Sequence, residues 1–418
     1  MEKSKITKIF GTDKRVVVLG IARMADAMGN SFLIVVLPLY IASKSVSGDF
    51  FGLTETLVTG LLLGLFGLIT SVSQPFTGGL SDKLGKRKLF VLLGLVIFTL
   101  ANFSYSLAHS YTLLMVIRTA QGLAAAFTIT ASLALVSEVS TNKTRGNNMG
   151  IYNTFRLIGF GIGPLASGVL VENGPYHIPL FGEIDGFVAS FCLASLAALV
   201  SALLVAFLVT DPEETKPSKR KMKIRVKAKE EGKLLDPIFA LALATLVMSF
   251  GFSLLAPIEA ETNQRLSQGA FKFSLEFSAL IAALAISQPI IGKASDRFGR
   301  RIFIVIGLIG LVPIVFSEGL VTEPWQLITA RAMQGICAAM VFAPALALAG
   351  DLAEEGRTGS QLSVVTMAFG LGISLGSFVS GYAVRFGYVV PFIAGAVMAA
   401  LGVLVVVTQV PKNVEVLE

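Results

Sequence analysis

Apolar residues in this chain do not alternate with polar ones at the short period of a soluble sheet. They run on in blocks of helical span length, separated by short polar breaks. Twelve such spans are read at roughly 16–42, 53–79, 88–108, 111–137, 146–172, 186–209, 236–261, 274–294, 301–318, 323–350, 359–384 and 388–409. A block of about 20 apolar residues crosses the hydrocarbon layer of a bilayer as a helix. The breaks fall at turn or charge clusters such as Ser47-Gly48-Asp49, Gly85-Lys86-Arg87 and Asn173-Gly174-Pro175. The pattern predicts an all-α polytopic membrane protein.

The blocks repeat. Ser73-Gln74-Pro75 leads through Gly78, Ser81-Asp82-Lys83 and Gly85 to Lys86-Arg87, and the same order returns 214 positions later. There it reads Ser287-Gln288-Pro289, Gly292, Ser295-Asp296-Arg297, Gly299, Arg300-Arg301. Arg118, Gln121-Gly122 and Ala124-Ala125 return at an offset of 213 as Arg331, Gln334-Gly335 and Ala338-Ala339, and Glu138 returns as Asp351. Gly29-Asn30-Ser31 and Gly251-Phe252-Ser253 match more faintly. Duplicated membrane halves are characteristic of secondary transporters. The expected layout is two six-helix pseudo-symmetric bundles, 1–210 and 236–418, joined by a charged linker at 211–235. The linker reads Asp211-Pro212-Glu213-Glu214 and then Lys219-Arg220-Lys221, Lys223, Arg225, Lys227, with room for a short surface-lying amphipathic helix.

Composition agrees with a membrane protein. Of 418 residues, 54% are hydrophobic and 15% charged, and the mean hydropathy is +0.76. Soluble domains carry about 25% charged residues. With both termini in the cytoplasm, 26 of the 34 Lys and Arg fall in cytoplasmic segments and four (Lys44, Arg265, Lys272, Arg385) in outer loops. That is the positive-inside distribution, so the net charge of +7 reflects topology and requires no nucleic-acid partner. The basic N-terminus precedes a span-length block rather than a short signal core, so span 1 is expected to act as the insertion signal. Cys192 and Cys337 sit inside spans and His109 and His177 in loops, which leaves no metal set and no cofactor site. No nucleophile–base pair is visible, which argues against an enzyme.

The remaining four cationic residues lie inside spans: Arg23, Arg118, Arg156 and Arg331. An ionisable group at that depth is costly and points to function. Arg23 and Asp26 stand three apart on span 1 and can pair, either as a structural pair or with Asp26 exchanging a proton. Asn148, Tyr152 and Arg156 share one face of span 5. That polar face cannot meet lipid, so it lines a cavity or another helix. Candidate substrate-binding residues are Arg23, Asn30, Asn148, Tyr152, Arg156 and Arg331. Candidate proton-coupling residues on these grounds are Asp26 and Glu259.

Gly78-Gly79-Leu80-Ser81-Asp82-Lys83-Leu84-Gly85-Lys86-Arg87-Lys88 resembles the loop 2–3 motif of the major facilitator superfamily. Arg118-x-x-Gln121-Gly122 resembles that superfamily's helix 4 motif. Gly159-Phe160-Gly161-Ile162-Gly163-Pro164-Leu165-Ala166-Ser167-Gly168 is similar to the helix 5 motif of its antiporters, especially the twelve-span drug:proton antiporters. The resemblance covers nearly the whole chain. It implies a proton-coupled exporter of small organic molecules working by alternating access in the cytoplasmic membrane of a prokaryote. Its partners would be substrate, protons and membrane lipids, with the protein acting as a monomer. It places Arg118 in a motif associated with proton movement and so adds it to the proton-coupling candidates. It also makes Gly78, Asp82, Lys83, Gly85, Arg87, Glu138, Asp296 and Arg300 a cytoplasmic conformational latch. In that latch Gly78 and Gly79 allow close helix packing, and Asp82 faces the start of span 11 near Thr358. Gly159, Gly163, Pro164 and Gly168 form a bendable packing surface. An importer or facilitator of sugars or organic anions is the alternative within the class. A non-transporting sensor or a lipid scramblase of the same fold is the alternative outside it.

Overall fold

The computed structural model describes residues 8–9, 12–43, 46, 50–141, 144–179, 182–211, 225–228, 233–353 and 358–411 of the 418-residue chain. In chain order the helices are α1 (Lys14–Ala42), α2 (Glu55–Leu84), α3 (Arg87–Ser104), α4 (Tyr111–Glu138), α5 (Arg145–Asn173) and α6 (Gly186–Leu208), then α7 (Pro237–Phe252) and α8 (Glu259–Arg265), α9 (Ala270–Phe298), α10 (Arg300–Glu318), α11 (Pro324–Asp351), α12 (Thr358–Ala383) and α13 (Val390–Gln409). α7 and α8 together make the seventh span, so that twelve helical segments are long and apolar enough to cross a membrane. The predicted spans are all present. The elements that the apolar pattern does not show are two short hairpins, β1–β2 (Lys8–Ile9, Thr12–Asp13) and β3–β4 (Tyr176–Ile178, Gly182–Ile184). His177 lies on β3. Most of the linker, and with it the proposed surface helix, lies outside the described residues; the flanking pieces meet at a single bridge between Lys227 and Leu235.

Polar residues at the breaks start the helices. Asp13, Ser110, Asp185 and Asp236 accept hydrogen bonds from the backbone amides of Arg15, Leu113, Phe187 and Ile238 at the heads of α1, α4, α6 and α7. Each satisfies a donor that the helix itself leaves free. Glu323 and Gln326 form a reciprocal capping box at α11, with Pro324 in the first turn. At Asp13 burial pushes the carboxyl up, but the hydrogen bonds and charge of Arg15 outweigh it and hold the group below the usual carboxylate range.

The helix starts carry the repeat in their numbering. α3, α4 and α5 begin at 87, 111 and 145, and α10, α11 and α12 begin 213 later at 300, 324 and 358. The earlier elements keep the offset of 214, since α2 ends at Leu84 and α9 at Phe298. The change of one falls in the turn. Two residues, Gly85 and Lys86, join α2 to α3, whereas Gly299 alone joins α9 to α10. Both glycines have positive φ, 65° and 101°, a conformation that glycine adopts without a Cβ penalty.

The chain forms two compact units, residues 1–48 with 72–220, and residues 49–71 with 221–418. In the first unit α1 packs along α5 through glycines. A Cβ on Gly159 would collide with the Met24 carbonyl oxygen, and one on Gly163 with Ser31 Oγ. Ser31 Oγ in turn donates to Gly159 O at 3.3 Å. Val16, Leu19, Phe90, Leu95, Leu135 and Val205 form the apolar core beside this seam.

In the second unit α12 meets α7 in the same manner. A Cβ on Gly372 or Gly376 would strike the carbonyl oxygens of Leu246 or Phe250. The N-terminal half of α2 belongs to this unit, and Gly60, Gly64 and Gly67 lie against the carbonyls of Ser377, Ser374 and Gly370. Close approach of backbones over small residues is how helices associate where lipid removes the hydrophobic drive. Leu100, Leu203, Phe207, Ile309 and Leu404 are exposed, as helices surrounded by hydrocarbon require.

The seventh span does not run straight through. α7 stops at Phe252, and a 3₁₀ turn, Ala256–Ile258, leads into α8. Pro257 lacks the N–H that the ladder needs, and its ring clashes with the preceding turn. The carbonyls released by the break find other donors. Phe252 O accepts from Arg331 Nη2 at 3.1 Å, and Leu254 O accepts from Ser380 Oγ.

Candidate functional site

α1 places Arg23 and Asp26 one turn apart, where they form an ion pair with both side chains buried. The α1–α5 seam brings Tyr152 and Arg156 to the same place. Tyr152 interacts electrostatically with both Arg23 and Arg156, and the two guanidinium groups interact with each other. The Tyr152 hydroxyl shares a 2.5 Å hydrogen bond with Ser132. Arg156 Nε donates to Asn153 Oδ1 at 2.9 Å, and the guanidinium lies 5.8 Å from the Phe160 ring centroid. Among the described residues Arg156 has no carboxylate partner, so two guanidinium groups here face one carboxylate. Asn30 follows Asp26 by one turn, and its Oδ1 is buried without a hydrogen-bond partner among the described residues. Arg23, Asp26, Asn30, Tyr152 and Arg156 therefore make one polar patch inside the first unit. Asn148 does not join it. It is buried against the loop before α5, where its Nδ2 donates to Ser140 Oγ at 2.7 Å.

Arg118 belongs to a different network. Arg118 Nη1 and the Tyr105 hydroxyl both donate to Gln121 Oε1, at 3.0 and 2.9 Å, and Gln121 Nε2 donates to Asn102 Oδ1 at 2.6 Å. All four side chains are buried. The repeat-related Arg331 makes the matching bond, Nη1 to Gln334 Oε1 at 2.6 Å, but its surroundings are acidic. Glu318 Oε2 lies 3.8 Å from Arg331 Nη1, and Glu276 interacts electrostatically with both. Glu259 is fully buried just beyond the break in the seventh span and interacts with Glu276. Arg331 is thus held within the second unit's own network. The sequence reading named Glu259 but missed Glu276 and Glu318. The offset of 213 held the signal, since it sets Glu318 opposite Tyr105.

The residues read as a latch form two repeat-related clusters, one in each unit. Arg87 is buried and bonds Asp82 Oδ1 at 2.6 Å, Glu138 Oε1 at 2.9 Å and Ser81 Oγ at 2.9 Å. Arg300 bonds Asp296 Oδ1 at 3.0 Å and pairs with Asp351. Each arginine begins a helix and ties it to the end of the preceding helix and to the end of α4 or α11. Gly85 makes the tight turn that aims Arg87. Lys83 lies in the last turn of α2. The side chain of Thr358, expected to receive Asp82, lies outside the described residues. Close packing does not explain Gly78 and Gly79. A Cβ on Gly78 would stand 3.7 Å from Thr130, an ordinary contact, and one on Gly79 would meet nothing within 4 Å. The expectation fails here because the small residues that hold the seams sit further along the helices. Gly159 and Gly163 bear on α1 as described, Ser167 Oγ donates to the Pro164 carbonyl at 2.9 Å, and α5 continues through Pro164 and Gly168 to Asn173.

The family model of the Major Facilitator Superfamily matches residues 19–240 and 241–417. Among characterised proteins, the chain is 28% identical over 318 residues to the multidrug resistance protein MdtG of Citrobacter koseri, covering 73% of each. It is 27% identical over 228 residues to the quinolone resistance protein NorA of Staphylococcus aureus, covering 54% of this chain and 52% of NorA. Among solved structures, a bacterial homolog of the human lysosomal transporter Spinster, in an inward-facing and occupied conformation, superposes with a TM-score of 0.73 at 15% identity, covering 94% of each chain. The duplicated spans, the paired arginine clusters and the match along both halves identify the chain as a member of the Major Facilitator Superfamily, an integral membrane protein of twelve spans.

Proposed function

We propose that the protein is a secondary active transporter that exports small organic molecules in exchange for protons, by alternating access, from the cytoplasmic membrane of a prokaryote with both termini inside. The observation that carries this reading is the buried patch of Arg23, Asp26, Tyr152 and Arg156 on the α1–α5 seam. Charged groups at that depth persist where they bind something, and Asp26 is the group in the patch that can give up and regain a proton near its partner. The names of MdtG and NorA, multidrug and quinolone resistance proteins, support export over uptake. The charge balance bears on the substrate. Two guanidinium groups against one carboxylate favour neutral or anionic compounds over cations. The latch clusters at Arg87 and Arg300 fit a role in setting conformational populations rather than in binding. No step of bond-making chemistry enters this function, which is transport and not catalysis.

Purified protein in vesicles with an imposed pH gradient tests the reading, with a quinolone and a neutral lipophilic dye as probes. Wild type should accumulate substrate against its gradient and lose that ability when the pH gradient is collapsed. Asp26→Asn should abolish the response to the pH gradient. Flux that ignores the pH gradient in wild type would favour a facilitator, and no flux of any probe a sensor. Lipid movement between leaflets without solute flux would favour a scramblase.

A further inference from the structure

The second unit holds a cluster that the export mechanism above does not use. Glu259 follows the break in the seventh span, Glu276 is on α9, Glu318 ends α10 and Arg331 is on α11. All four residues are at most 1% exposed. Their atoms are poorly matched. Both carboxylate oxygens of Glu259 and of Glu318, and Oε2 of Glu276, have no hydrogen-bond partner among the described residues. Glu276 Oε1 alone accepts a bond, from Gln268 Nε2 at 2.8 Å. Asn263, one turn beyond Glu259, faces it without reaching hydrogen-bond geometry. The guanidinium of Arg331 directs its hydrogen bonds to Gln334 and to the Phe252 carbonyl, and reaches Glu318 only at 3.8 Å.

Charge counting then decides the state of the cluster. Three ionised carboxylates against one guanidinium would leave two negative charges in a dry site, at a cost of several kcal/mol for each. Among the described residues no other cation reaches in. Arg265 and Lys272 are exposed, as is Glu261. Arg265 stacks on the Tyr388 ring at 4.6 Å, and Arg385 on Tyr382 at 3.9 Å. Tyr388, in the turn before α13, bonds Thr262 at 3.1 Å and interacts with Glu276 and Glu318, yet burial pushes this phenol up to about 12, so it brings no charge. With no second arginine at the cluster among the described residues, protons are what remains to balance the acids.

The repeat shows that packing does not demand the acids. At the offset of 213, Arg331 stands at Arg118, Gln334 at Gln121 and Glu318 at Tyr105. In the first unit that scaffold is a hydrogen-bonded set with a phenol at the third position. In the second unit the phenol is replaced by a carboxyl, Glu276 interacts with it, and Glu259 interacts in turn with Glu276. A broken span is also where transporters commonly build ion sites, because unwound backbone offers free polar groups.

We propose that Glu276 and Glu318, which flank Arg331, and Glu259, which meets Glu276 at the break in the seventh span, form a proton-exchanging site of the second unit, additional to Asp26. In its closed state the cluster holds two protons, with the third carboxylate balancing Arg331. On access to water a carboxyl releases its proton to solvent and becomes a carboxylate, and it is recharged from the same pool. Access lies by way of the end of α8 and the turn at 266–269, where Gln268 covers Glu276 and its neighbours Gln264, Arg265 and Ser267 are exposed. That this exchange drives transport rests on the proton-coupled reading above; that the cluster binds protons does not.

Two measurements on the full-length protein separate those statements. Infrared spectroscopy in detergent reads protonated carboxyls by their carbonyl stretch, which shifts in heavy water. Wild type should show such a band at neutral pH that disappears on alkalinisation. Glu276→Gln and Glu318→Gln should each remove part of it, and Asp26→Asn should leave that part in place. Glu318→Tyr copies the first unit's own arrangement and provides a folded comparison if a glutamine variant does not accumulate. Absence of the band in wild type, or a band untouched in all these cluster variants, overturns the site. In vesicles Glu276→Gln should lose pH-driven accumulation, with counterflow exchange falling much less. Accumulation equal to wild type would make the cluster structural and overturn its coupling role. Wild type that ignores the pH gradient would instead defeat the proton-coupled function, while the infrared result still decides whether the cluster binds protons.

Discussion

Arg156 is the residue on which the substrate's charge can be read. Its partners among the described residues are a carboxamide and an aromatic ring, so its guanidinium is free to meet a ligand carboxylate or phosphate through two parallel bonds, which a lysine cannot reproduce. Arg156→Ala should therefore weaken an anionic ligand by about 1.5–3 kcal/mol, the worth of hydrogen bonds to a charged group, and Arg156→Lys by less. Melting temperature and dissociation constant measured on the same three proteins decide the matter. Unchanged affinity with lowered stability would make Arg156 a structural group of the α1–α5 seam. Asp26 is a different case, because its removal strands a buried Arg23. Asp26→Asn should lower the melting temperature as well as uncouple transport, since breaking a buried pair costs about 3–5 kcal/mol. Asp26→Asn with wild-type stability would mean that the Arg23–Asp26 pair is not held in the native protein. Arg23 and Asp26 were legible in the sequence because three-residue spacing on a helix fixes a shared face. The exclusion of Asn148 was not, since a helix face says nothing about the Ser140 hydroxyl waiting in the preceding loop.

Helices in this protein meet through glycine, and the glycines are not equivalent. Gly159 and Gly163 touch backbone and hydroxyl atoms of α1, whereas Gly79 and Gly292 have open space where a Cβ would go. Gly159→Val should cost about 1–3 kcal/mol, the usual penalty of overpacking, and should reduce the folded yield. Gly79→Ala should leave melting temperature unchanged. Equal effects at the two positions, measured by thermal unfolding in detergent, would contradict the packing described for α1 and α5. The motif on α5 was readable as a packing surface, but its partner helix was not, because a run of glycine leaves two faces smooth. The apolar blocks likewise announced every span. They did not announce the break before Pro257, since the residues on both sides remain apolar and only the proline marks it.

Over the whole molecule the proposed orientation rests on where lysine and arginine accumulate, and it can be checked from either side of the membrane. His177 on β3 and Arg225 in the linker are both exposed. With the half-buried Cys192 and Cys337 replaced by serine, His177→Cys should react with an impermeant maleimide from outside intact cells, and Arg225→Cys only after the membrane is opened. The reverse labelling would invert the assigned orientation. The duplication was legible as two motifs in register. Its consequence for the acidic cluster was not drawn from the sequence, because Glu276 and Glu259 have no counterpart in the first half to call attention to them. The single-residue turn at Gly299 has a consequence for how such a gene can change. A residue gained or lost in that turn is absorbed by a glycine outside both helices, and the facing of α9 and α10 survives. The same event a few positions later, inside α10, would rotate all that follows by about 100°, since a helix takes 3.6 residues per turn, and would swing Glu318 away from Arg331. The two halves of the gene could therefore drift apart in length only at such joints, and the shift from 214 to 213 preserves the site of one such event.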